Sequence, residues 1–160
     1  MKAIRSLYLN SRLFLAVAVI VMTFVISFIA GDFIFFAKTL FYLGIAVVLT
    51  DWILLYRTRK GLHGYRSTPE ILSNGDENEI TIHLENFYPF SVSLTVVDEI
   101  PHQFQRRDLN FELIITPGGN KVITYSLRPV KRGEYSFGTV NVFVRSPIAF
   151  LSRRFQFSGE

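Results

Sequence analysis

The chain has 160 residues, 49% hydrophobic, with a net charge of +4 and no cysteine. That length allows one small domain beside any membrane element, and the missing cysteine excludes disulfides, thiolate nucleophiles and sulfur-ligated zinc. The pI near 9.5 suggests nucleic acid, but residues 1–60 hold seven basic against two acidic side chains and residues 61–160 ten against eleven. A domain so near neutrality has no basic face with which to neutralise phosphates, so nucleic acid is not expected as a partner.

Met1 to Arg12 is short and basic, and Leu13 to Ala30 follows without a charge. A cleaved signal peptide would start the same way. This apolar run, however, exceeds the ~7 to 15 residues of such a core, and Ser27-Phe28-Ile29-Ala30-Gly31 lacks a small-x-small cleavage site. A second apolar stretch, Thr39 to Tyr56, comes directly behind. Each stretch is 18 residues long and reaches about 27 Å as a helix, close to one hydrocarbon core, which predicts a transmembrane helical hairpin. Gly31 and Asp32 make the turn, Phe33 to Phe36 lies among headgroups, and Lys38 snorkels outward.

Lys2, Arg5 and Arg12 precede the first span, and Arg57, Arg59 and Lys60 follow the second. The positive-inside rule then places both ends, and everything after them, in the cytoplasm. Asp51 lies inside the second span, where an ionisable group can mark an ion or proton pathway. Trp52, Tyr56 and Arg57 nearby place it instead close to the cytoplasmic interface, in reach of headgroups, water or a basic partner. Arg57 to Arg66 is basic and broken by Gly61 and Gly64, and it attracts anionic lipid headgroups. The organisation expected is a hairpin over 1–60, a basic linker over 61–66 and a β-sandwich over 67–160.

From Ser67 the hydrophobic period becomes two. Ile80, Ile82 and Leu84 share one strand face, and Val92, Leu94 and Val96, then Ile123, Tyr125 and Leu127, then Val140, Val142 and Val144 repeat it. Turn signals separate the runs at Asn74-Gly75, Tyr88-Pro89, Pro117-Gly118-Gly119-Asn120, Arg132-Gly133 and Ser146-Pro147. With further strands at Leu109 to Ile115 and Arg153 to Phe157, the pattern predicts an all-β, immunoglobulin-like antiparallel sandwich of about seven or eight strands.

Candidate chemistry is sparse. His63, His83 and His102 lack metal-ligand spacing, Asp98 and Glu99 point to opposite faces of a strand, and neither a Gly-x-Ser-x-Gly elbow nor a phosphate-binding glycine loop is present. No catalytic, cofactor or metal residue is therefore assigned, and an enzyme is not expected. The most specific stretch is Arg132-Gly133-Glu134-Tyr135-Ser136-Phe137-Gly138, followed by a β-branched strand and Ser146-Pro147. Its expected role is structural: Gly133 and Gly138 supply unusual backbone angles, Tyr135 and Phe137 pack inward, and the Tyr135 hydroxyl bonds back to a loop.

Taken in order, these residues resemble the membrane-anchored proteins of the domain-of-unknown-function 58 family. The resemblance runs from the hairpin through Asn74-Gly75-Asp76-Glu77, Leu84-Glu85-Asn86, Pro89-Phe90, Asp98-Glu99-Ile100-Pro101 and Arg132-Gly133-x-Tyr135-x-Phe137-Gly138 to Ser146-Pro147 before Leu151. It implies an N-terminal hairpin and sandwich, followed in the family by a von Willebrand factor A-like domain that this sequence does not reach. It also implies a bacterial inner-membrane location and work with a MoxR-type AAA+ ATPase. Where the family tends to have a glycine near the leucine, this chain has Ile148-Ala149-Phe150. The expected function is thus a non-enzymatic, cytoplasmic scaffold anchored in the lipid bilayer. The alternative is an extracytoplasmic sandwich that binds an envelope ligand.

Overall fold

The computed structural model describes residues 6–31, 33–105 and 109–158. Strand β1 (Leu7–Leu9) leads into helix α1 (Ser11–Ala30), and helix α2 (Ile34–Arg57) returns antiparallel beside it. Both helices are long and apolar enough to cross a membrane, and most of their apolar side chains are exposed; Phe28, for one, is 90% accessible. Gly31 ends α1 in the left-handed region (φ 75°), with its N–H on the Ser27 carbonyl, the usual way for glycine to stop a helix.

Seven strands follow: β2 (Leu62–Ser67), β3 (Asn78–Asn86), β4 (Val92–Asp98), β5 (Asn110–Ile115), β6 (Asn120–Leu127), β7 (Val140–Arg145) and β8 (Leu151–Phe157). One sheet has the order β1-β8-β7-β4-β5 and the other β2-β3-β6, with every pairing antiparallel. The alternation dictates the core. Ile80, Ile82 and Leu84 from one sheet and Val92, Leu94, Val96, Val140, Val142 and Val144 from the other are all fully buried.

Two strands lie where the sequence pattern does not place them. Leu7–Leu9, expected as part of a basic N-terminal tail, pairs with β8 with Leu7 opposite Arg153. Leu62–Ser67, read as a linker, pairs along its length with β3. Its alternation is present but disguised, because the inward positions are Leu62, Gly64 and Arg66, only one of them a conventional core residue. The sandwich thus starts at Leu62 and borrows a strand from ahead of the helices. Lys2 and Arg5 lie outside the described residues.

Asparagines close two of its turns. Asn86, completely buried, donates to the carbonyls of Phe90, Ile115 and Thr116 and accepts from the Tyr88 N–H, so one side chain ties the β3–β4 connection to the end of β5. Asn78 does the same for the Ser73–Asp76 turn, where Gly75 holds φ 87°.

Candidate functional site: the joint between helices and sandwich

Asp51 is fully buried, and its partners are neither headgroups nor a basic side chain. One carboxylate oxygen accepts from the Ser146 hydroxyl, and the other accepts from the backbone N–H groups of Phe150 (2.9 Å) and Leu151 (2.8 Å). Two of the donors, Ser146 and Phe150, belong to the β7–β8 loop, and the third, Leu151, opens β8. Ser146 in turn accepts from the N–H groups of Ile148 and Ala149, so the loop is folded around the hydroxyl that grips the carboxylate. A buried carboxylate is tolerable only when donors surround it, and here the loop and the start of β8 supply them. Asp51 is therefore a docking residue between helix and sandwich.

The end of α2 is held as firmly. A helix leaves its last carbonyls without intrahelical partners, and a cation there also complements the helix dipole. Arg153 of β8 donates to the carbonyls of Leu55 (2.7 Å) and Thr58 (3.0 Å), while its guanidinium lies 4.9 Å from the Tyr56 ring and 4.6 Å from the Phe155 ring. The Tyr88 hydroxyl donates to Leu55 as well, at 2.9 Å. Burial raises the Tyr88 pKa above its ordinary 10.0, with Arg153 partly offsetting the rise. Gly61 makes room for this arrangement, since a Cβ there would lie 2.2 Å from the Tyr88 ring. On the α1 side, the Asn10 amide donates to Ala149 and its oxygen accepts from Ser152.

No family model matches the chain, and no curated protein does. Among solved structures, a PapD-like domain of human CEP192 is similar at 16% identity and a TM-score of 0.44, over 63% of this chain and 84% of that one. The CARDB domain of a Pyrococcus furiosus protein is similar at 16% identity and a TM-score of 0.39, over 62% of this chain and 96% of that one. An alkylpurine DNA glycosylase of Pseudomonas fluorescens aligns at 14% identity and a TM-score of 0.33, over 72% of this chain and 36% of that one.

Ser146 belongs to the joint, and Pro147 is an exposed residue of the same loop. The other residues of the sequence motif sit at the opposite end of the sandwich, since β7 runs about 20 Å from Val140 to the joint. Tyr135 packs its ring 4.9 Å from Phe104 and donates from its hydroxyl to the Lys131 carbonyl, as expected of a tyrosine bonding back to its loop. Phe137 lies under the Arg66 guanidinium at 4.7 Å. Arg66 is buried against Asp98 (2.6 Å), donates to the Gly138 carbonyl, and shares Asp98 with the Tyr125 hydroxyl. Asp98 and Glu99 do point opposite ways. Glu99, although partial desolvation opposes it, is held below its ordinary pKa by hydrogen bonds from Asn141 and Thr139.

The two glycines differ from each other: Gly133, at φ 159°, holds a backbone angle that L side chains rarely adopt, as expected, whereas Gly138 is required by closeness, since a Cβ would lie 2.7 Å from that of Glu99. Arg132 is exposed at the rim of a groove of about 840 Å³ formed by the 68–74 and 129–139 segments. Arg12, Arg57, Arg59 and Lys60 are all exposed at the helix ends nearest the joint. His83, with its ring 4.6 Å from Tyr65, is part of a surface stack, and no group of metal-ligating side chains occurs among the described residues.

Proposed function

We propose that the chain is a membrane-anchored interaction module in which α1 and α2 span the bilayer and hold the sandwich on its cytoplasmic face. Its partner is a MoxR-type AAA+ ATPase, and its role is that of a non-enzymatic scaffold. The observation that carries this reading is the joint. Asp51, Arg153, Tyr88 and Asn10 fasten both helices to one end of the sandwich, so that an anchor and a presented domain move as one body. The exposed apolar helix surface supports the membrane as solvent, and Arg12, Arg57, Arg59 and Lys60 gathered at the joint support the cytoplasmic side. A structural role is supported by the buried ionisable groups, since Asp51, Arg66 and Asp98 are each engaged in bonds that hold elements together. The ATPase rests on the family resemblance, and the groove beside Tyr135 and Phe137 is the surface turned away from the anchor.

A cysteine introduced at exposed Asn120, in a chain with no native thiol, tests the orientation. Labelling by an impermeant maleimide only after permeabilisation is expected, together with co-purification of the ATPase. Labelling in intact cells would overturn the reading and direct the search to envelope ligands.

A further inference from the structure

Where α1 begins, a groove of about 470 Å³ opens against the β7–β8 loop, lined by Asn10, Ser11, Arg12, Ser93, Arg145 and Ser146 among others. Among the described residues its charged lining side chains are two arginines and none is acidic, and the Arg145 Nε–H is buried without a partner, although its guanidinium reaches Thr95 at 2.9 Å and the exposed Glu112 more loosely at 3.6 Å. The Arg145 side chain is about one-third exposed (32%), so the open part of its guanidinium is available for charge-assisted hydrogen bonds to an anionic oxygen in the groove.

The groove also lies beside an apolar one. Between α1 and α2 runs a cleft of about 220 Å³ whose walls include Leu13, Ala16, Ile45, Val48 and Phe150. On α1, Arg12 stands one turn above Ala16 on the same face; on the loop, Ala149 of the polar groove precedes Phe150 of the apolar cleft. Phe14 and Leu15, just past Arg12, are 61% and 69% exposed, so the polar groove is at the level where the apolar surface starts. A charged compartment directly above an apolar one matches an amphiphile, not a free anion.

We infer that this pair of cavities is a specific site for one anionic phospholipid, with the phosphate between Arg12 and Arg145 and an acyl chain against the cleft between the helices. The inference rests on the spanning reading of α1 and α2, and it adds a lipid that is held, beyond the bulk bilayer that merely solvates.

The test uses the full chain in nonionic detergent and native mass spectrometry with phosphatidylglycerol or phosphatidylcholine. One phosphatidylglycerol retained per chain in preference to phosphatidylcholine is expected. Arg12→Gln, an exposed change at the start of α1, lowers that retention about fivefold, and adding Arg145→Gln lowers it about thirtyfold, while Arg132→Gln, exposed at the opposite end of the sandwich, leaves it unchanged. Equal retention of both lipids, or an Arg12→Gln chain that behaves as the native one, overturns the site. Displacement of the lipid by excess inorganic phosphate also overturns it, in favour of a free-anion site. Alkaline extraction of native membranes reads the anchor separately. A chain released by alkali but still selective in detergent would end the spanning reading and keep the groove, and a chain retained by alkali but unselective would do the reverse.

Discussion

At position 149 an alanine holds a backbone angle that ordinarily belongs to glycine, φ 58°. The left-handed region costs a residue with a Cβ about 1–2 kcal/mol, and glycine returns part of that gain through its greater freedom in the unfolded chain. Ala149→Gly is therefore expected to raise stability by up to about 1 kcal/mol, measured by denaturation in detergent; a loss would mean that the Ala149 methyl packs usefully. The resemblance marks the stretch Ile148-Ala149-Phe150 as a departure, with no one position singled out, and the structure locates the unusual angle at Ala149, in a turn that must present the Phe150 and Leu151 N–H groups to Asp51. What the sequence could not reveal is Asp51 itself. Its donors are 95 to 100 residues away, two of them are backbone groups, and Ser146 reads simply as a turn residue. The clue in the sequence is thermodynamic, that a carboxylate in an apolar helix must find donors, and the local expectation of headgroups, water or a nearby basic side chain misses the distant ones.

Among the elements, the legible ones obey a single period. Strands β3, β4 and β7 bury every second residue along their central runs, and both helices are long, predominantly apolar runs, so pattern alone locates them. The two that escape do so for physical reasons: β1 is three residues long, too short to show any period, and β2 turns Gly64 and Arg66 inward. Arg66 can face the interior because Asp98 awaits it at 2.6 Å, and a cation with a distant partner cannot be recognised from its neighbours. The cap on α2 gives the joint a pH dependence. The Tyr88 pKa is higher folded than unfolded, so above about pH 10 the unfolded chain loses that proton first and stability falls as pH rises. The melting temperature of the native chain should thus fall on the alkaline side of pH 10, and Tyr88→Phe should flatten that limb while costing about 1 kcal/mol at neutral pH for the lost bond to Leu55. An unchanged alkaline limb in Tyr88→Phe would remove Tyr88 from the account.

For the whole molecule, the joint decides whether the hairpin and the sandwich behave as one body. Asp51→Ala removes three hydrogen bonds at once and leaves the buried Leu151 N–H and the partly buried Phe150 N–H bare, an expected loss of about 3 kcal/mol. Spin labels at Phe28 on α1 and Lys121 on β6, both exposed, should report one narrow distance in the native chain and a broad one in Asp51→Ala. A narrow distance in the variant would show that Arg153 and Asn10 suffice. The pairing of Leu7–Leu9 with β8 has a further consequence, which concerns synthesis. Strand β1 leaves the ribosome well before β8, which completes it. At roughly 5–20 residues per second, the groups that satisfy Asp51 emerge about 5–20 s after it. On the proposed spanning arrangement, an unpaired carboxylate resists being drawn into hydrocarbon throughout that interval, so it keeps the tail of α2 at the water's edge until translation has delivered β8.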